Sequence, residues 1–231
     1  FAVLGVGSGQ NSGLDQIFSG LFGGGGSSIS KAQHAVTKNP QSPKAYRDLA
    51  TAYEAHGETA GAIGALQTYV TLKKKDAAAW AELGGLQISQ AQQFAQAYQD
   101  AQTEAQLAAP SQAFLPTGTL GTAIGQNQIE QIAAQNANAS LQTLYQQGTS
   151  DYSNAETSYK TVAKLQPHDA NSQFQLATAA QDAGDYTTAV AALKKYLKLD
   201  PTSPEKAQVQ SLIKQLSPAP AKPAKKKKSS K

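Results

Sequence analysis

A fixed interval of 34 residues constrains this chain more than any other feature. Counted from Ala170, Leu176, Ala177, Gly184, Tyr186, Ala189, Leu193 and Pro201 take the seventh, eighth, fifteenth, seventeenth, twentieth, twenty-fourth and thirty-second places of such a unit. Counted from Pro43, Tyr46, Leu49, Ala50, Tyr53, Gly57, Ala62 and Leu66 fall in register with it. Within each unit, apolar residues recur at i, i+3, i+4 and i+7 in two runs separated by a glycine-bearing turn, the pattern of two short amphipathic helices. The alanines are small where the helices must cross closely, and Gly57 and Gly184 tolerate the backbone of the turn. One hairpin of this size cannot bury its apolar face alone, so copies must stack.

The middle of the chain keeps the period less well. From Ala77, Trp80, Leu83 and Gly84 are in place, after which Ala97, Ala101 and Pro110 slip. Counted from Asn136, Tyr152, Ala155, Tyr159 and Pro167 take second-helix places, while the first helix of that unit reads as long and ending near Gly148. Ser111 to Gly125, with Pro116 and three glycines, breaks the pattern and reads as an inserted loop whose Phe114, Leu115, Leu120 and Ile124 fold back on the array.

These places and residues resemble the tetratricopeptide repeat family. The resemblance implies an all-α fold: an α-solenoid of helix-turn-helix repeats with a flexible N-terminal segment and a disordered C-terminal tail. The expected division is 1–28, an apolar and glycine-rich segment; a half repeat at 29–42; repeats at 43–76, 77–110, 126–169 and 170–203; the insertion at 111–125; a capping helix at 204–216; and a tail at 217–231. Gly23 to Ser28 reads as linker, and Ser203 as the N-cap of the last helix with Pro204 in its first turn.

Composition excludes several chemistries. Cysteine is absent, so disulfides, thiolate metal sites and a cysteine nucleophile are ruled out. His34, His56 and His168 are not spaced to place two ligands on one helix face, so no metal site is expected, and nothing suggests a cofactor, a small-molecule substrate or a catalytic residue. Gly5-Val6-Gly7-Ser8-Gly9 lacks the Lys-Ser or Lys-Thr of a phosphate loop. The net charge of +4 belongs to the end of the chain: without Lys222, Lys225 to Lys228 and Lys231, 14 basic residues face 16 acidic ones. The lysine tail is expected to give weak, sequence-blind contact with polyanions such as anionic lipid, nucleic acid or cell-wall polymer.

The resemblance also implies a function, protein–protein interaction without catalysis, and a place for it. In this family ligands lie in a concave groove lined by first helices, at the second, fifth, ninth and twelfth places. The candidate binding residues are therefore Lys44, Arg47, Thr51 and Glu54 of the first unit and Asn171, Phe174, Thr178 and Gln181 of the fourth, with Glu82 added from the second. The Lys/Asn set with which some members clamp a terminal carboxylate is missing, so the expected partner is a protein or peptide of low charge. Phe174 is read as an exposed aromatic. The run Phe1-Ala2-Val3-Leu4-Gly5-Val6-Gly7 reads either as the trailing end of a membrane span or signal segment or as an apolar terminus. With the resemblance to bacterial membrane-anchored repeat scaffolds, it gives the expectation of a membrane-associated protein whose repeats are extracytoplasmic.

Overall fold

The computed structural model describes residues 25–108 and 128–217, all but a few of them in helices. The expected Leu14–Phe22 helix, the inserted loop and the lysine tail lie outside these residues. In chain order the helices are α1 (Gly25–Lys38), α2 (Pro43–Ala55), α3 (Thr59–Leu72), α4 (Ala77–Ala108), α5 (Gln128–Leu165), α6 (Ala170–Asp182), α7 (Tyr186–Leu199) and α8 (Lys206–Leu216). No strand occurs among the described residues, so the all-α repeat class expected from the period is the one observed. The chain divides into two compact units, one ending at Ala79 and one beginning at Trp80.

Helix starts follow from short polar side chains that accept orphan amides. Ser42 accepts from the Ala45 amide at 3.3 Å with Pro43 in the first turn, Asp169 from Ser172 at 2.7 Å, and Asp185 from Thr188 at 3.0 Å. The two short hairpins, α2–α3 and α6–α7, turn identically. Gly57 and Gly184 have φ of 70° and 79°. Beyond each, the next amide reaches back across the helix end, Glu58 to the Tyr53 carbonyl at 2.9 Å and Asp185 to Ala180 at 2.8 Å, closing the helix through a left-handed residue that glycine adopts without steric cost.

In the first unit, α1 packs on α2 and α2 on α3, burying Ala32, Ala45, Leu49, Ala50, Ala62, Ile63, Leu66 and Val70. Helix α1 begins inside the segment read as linker, and its Ser28 hydroxyl lies 3.0 Å from His56 Nε2 of the α2 turn. In the second unit, α5, α6, α7 and α8 pack in succession around Tyr159, Val162, Leu176, Leu193, Tyr196 and Val209. Leu49, Leu83 and Leu176 are buried, as their places in the period require. Ser203 does not cap α8: it is buried, shares a 2.7 Å hydrogen bond with the Tyr196 hydroxyl and accepts the Glu205 amide, so the turn is fixed there and the helix starts at Lys206.

The middle departs from the period. The hairpins expected at 77–110 and 126–169 are replaced by two continuous helices of 32 and 38 residues, α4 and α5. The cause is local. The turn place that holds Gly57 and Gly184 in the short hairpins holds Ala91 and Ser150 here, where a left-handed residue costs roughly 1–2 kcal/mol, and the surrounding Ala and Gln favour continued helix. The two helices pair with each other instead, antiparallel. Near the base, the Ser158 hydroxyl donates to Gln87 Oε1 at 2.8 Å, both groups buried, and the Tyr159 ring lies over Gly84, where a Cβ would come within 2.7 Å of it. Farther out, the Tyr98 and Tyr145 rings are 6.3 Å apart. Gly84 and Tyr159 hold the eighth and twenty-fourth places of different units in the sequence, yet they pack as the two halves of one hairpin.

Candidate protein-binding faces

In the first unit the site residues lie along α2. Lys44 is exposed and paired with Asp48 at 2.6 Å. Thr51 and Glu54 are exposed, and the Thr51 hydroxyl turns back to the Arg47 carbonyl at 3.1 Å. Arg47 differs from the expectation: it is half-buried, with its guanidinium 5.9 Å from the centre of the Tyr69 ring. The Tyr69 hydroxyl donates to Asp76 at 2.7 Å, and Asp76 accepts the Ala79 amide at 3.1 Å. The Tyr69 hydroxyl, the Ala79 amide and the charge of Arg47 together hold the Asp76 carboxyl below its ordinary range. Arg47 thus braces the corner from α3 into α4 as well as presenting charge, a role hidden in the sequence because its neighbours lie more than 20 residues away.

In the second unit the corresponding residues run along α6. Asn171, Thr178 and Gln181 are exposed. Thr178 donates to the Phe174 carbonyl at 3.2 Å, repeating the Thr51 arrangement. Phe174 is not the exposed aromatic the sequence suggested. It is half-buried, packs against the hydrophobic core, and its ring lies 5.4 Å from that of Tyr196 on α7 at an interplanar angle of 51°, a favourable tilted contact. Glu82 on α4 is half-buried. Within each unit the i, i+3, i+7, i+10 spacing puts the named residues on one helical face.

The α4–α5 pair carries a feature that the period did not reveal. Beside the Tyr98–Tyr145 contact runs an open groove of about 430 Å³, lined among others by Ala91, Ala95, Gly148 and Tyr152. Tyr145 is 63% exposed and Ile132 57%. At the inner end, burial and the charge of Asp182 push the Tyr152 hydroxyl up, and burial pushes the Asp182 carboxyl up. The available sequence signal was the absence of any Lys, Arg or His from Asp76 to Tyr159.

Among the described residues no group of three or more His, Cys, Asp or Glu side chains is placed to hold a metal ion, and no helix is long and apolar enough to cross a membrane.

Comparison with known proteins bears on the repeats alone. No curated protein matches the chain. Among solved structures, a crystal structure of the P58(IPK) TPR domain aligns over 80% of this chain at 17% identity with a TM-score of 0.26, and the chain spans about 60% of that structure's length. The family model for the tetratricopeptide repeat matches residues 27–77 and 142–204, a little under half of the chain. Those residues hold the hairpins α2–α3 and α6–α7 and the later part of α5, and it is these parts of the chain that are similar to tetratricopeptide repeats.

Proposed function

We propose that this protein is a non-catalytic scaffold that binds protein or peptide segments of low charge on the first-helix faces of its repeats. The observation that carries this reading is the set of side chains on α2 and α6 that the hairpin cores leave outside. Thr51 and Glu54 in one unit, and Asn171, Thr178 and Gln181 in the other, are exposed at matching places. The hairpins beneath them are closed by glycine turns and buried leucines, so these side chains add little to folding. Likeness to repeats whose general use is protein binding supports the same reading. Lys44, Arg47, Glu82 and Phe174 belong to the proposed face as its edges, with Arg47 and Phe174 also holding it in shape. A membrane tether through Phe1 to Gly7 and a polyanion contact through the lysine tail are part of the proposal on sequence grounds.

The test uses Thr178→Arg, a substitution at an exposed position. Surface changes of this kind usually stay within about 0.5 kcal/mol, so helicity and melting should be unchanged while recovery of partners from the source cell falls. Undiminished recovery by Thr178→Arg and Thr51→Arg together would remove the first-helix faces from binding.

A further inference from the structure

The α4–α5 pair projects a surface that the repeat-face reading does not use. We propose that this arm is a second docking surface and that its occupant is a cationic amphipathic helix of another protein.

Shape is the first ground. The groove follows α4 from Ala91 to Gln102, about 16 Å at the rise of an α-helix, or three turns. Small residues on both walls, Ala91, Ala95 and Gly148, let a third helix approach to the 8–10 Å at which helices pack. Three tyrosines, Tyr98, Tyr145 and Tyr152, supply the large contact area from which binding anchors are made. Tyr145 is mostly in water although a tilted partner ring lies 6.3 Å away, and an incoming apolar side chain would cover the pair.

Charge selects the occupant. No residue lining the groove is charged, and no cation occurs from Asp76 to Tyr159. The charges on the described arm are carboxylates, with Asp100 and Glu104 toward its outer end and Asp151 nearer the base, and Asp182 of α6 stands by Tyr152. A second copy of the arm would bring only further carboxylates, and an acidic peptide would be repelled. A lysine- or arginine-flanked helix gains the attraction, lays its alkyl stems along the tyrosine rings and sets its cations over their faces. The recognition mode is a helix in a groove with anchors at i, i+3/i+4 and i+7.

The probe is a synthetic helical peptide of about five turns with leucines on one face and lysines on its flanks, compared with a twin carrying glutamates in place of the lysines. Binding to the full chain is read by fluorescence anisotropy at low and physiological salt. The lysine peptide should bind at least about tenfold more tightly than its twin, and Tyr145→Ala should weaken it about fivefold or more while Tyr145→Phe does not. Tyr145 is exposed, so this variant keeps the fold, and Thr178→Arg should leave the affinity unchanged. Equal binding of the two peptides, indifference to Tyr145→Ala, or loss of binding in Thr178→Arg would each overturn the proposal. A dimer in sedimentation that Tyr145→Ala dissociates would make a second copy the occupant, and tighter binding after removal of residues 218–231 would make it the chain's own tail; either result would also overturn it.

Discussion

Gly84 and Gly85 are adjacent in α4, and alanine at the two positions should act with opposite sign. In a helix interior, replacing glycine by alanine is worth about 1 kcal/mol through reduced backbone entropy. Gly85 is exposed, and the nearest atom to an added Cβ is the Tyr159 hydroxyl at 3.7 Å, ordinary contact. Gly85→Ala should therefore stabilise by about 0.5–1 kcal/mol. At Gly84 the same methyl would stand 2.7 Å from Tyr159 Cε2 and 2.9 Å from Cδ2. These atoms belong to a buried ring fixed in the core of the second unit, so the helices must part or the ring must leave its rotamer. Such overpacking costs about 1–3 kcal/mol, which outweighs the propensity gain at all but its lower limit. Thermal and urea unfolding followed by circular dichroism should thus separate the two variants by about 1–3 kcal/mol, with Tm moving about 2–4 °C for each kcal/mol in a chain of this size. Tyr159→Leu should relieve much of the Gly84→Ala cost in a double-mutant cycle, although the single change leaves a cavity. If Gly84→Ala raised Tm as much as Gly85→Ala, Gly84 and Tyr159 would not be in contact and the pairing of α4 with α5 would be wrong at its base.

Three further predictions concern the repeats. Gly57→Ala and Gly184→Ala, each forcing a side chain into positive φ, should cost about 1–2 kcal/mol, measured by urea unfolding. Leu66→Ala and Leu193→Ala, at side chains no more than 1% exposed, should cost about 2–5 kcal/mol, whereas Gln181→Ala on the exposed face should leave the melting curve in place. Asp185 is held below its ordinary carboxylate range first by the Thr188 hydroxyl and then by the Thr188 amide. Its folded pKa is lower than its unfolded one, so its contribution is present above the unfolded value near 3.9 and is lost as pH falls through the folded value. Asp185→Asn, which keeps a capping oxygen, should flatten that part of the acid limb in a Tm–pH profile, while Asp185→Ala should cost about 1 kcal/mol at neutral pH.

The short hairpins were legible because each is fixed by neighbours in sequence: a capping side chain, a turn glycine, and alanines and leucines at helical spacing. The long hairpin was not, because its evidence is a missing residue. Ala91 and Ser150 stand where a glycine would have turned the chain, whereas Gly148, read as a helix end, lies within α5. A Cβ there would meet the Ala91 carbonyl and Phe94 Cβ at 3.6 Å, so this glycine serves close packing of two helices and no turn. The binding residues were legible as positions and less so as environments. The spacing put Arg47 and Phe174 on the first-helix faces, but Tyr69 and Tyr196, each 22 residues further along the chain, decide that one braces a corner and the other fills the core. The tyrosine groove arises only when α4 and α5 lie side by side, and no local pattern records that.

The central claim, that residues 77–165 form one long antiparallel hairpin in place of two repeats, is tested most directly by cross-linking across the arm. The chain contains no cysteine, so Tyr98→Cys with Tyr145→Cys supplies the only thiols. In the long hairpin these positions face each other, with ring centres 6.3 Å apart in the unaltered chain. Mild oxidation should then produce an intramolecular disulfide in monomeric protein, identified by mass spectrometry, with the helical circular-dichroism signal unchanged. Two separate repeats would fold Tyr98 back toward Leu83 and Tyr145 toward Tyr152, and thiols that stayed free under oxidation in a fully helical protein would contradict the account.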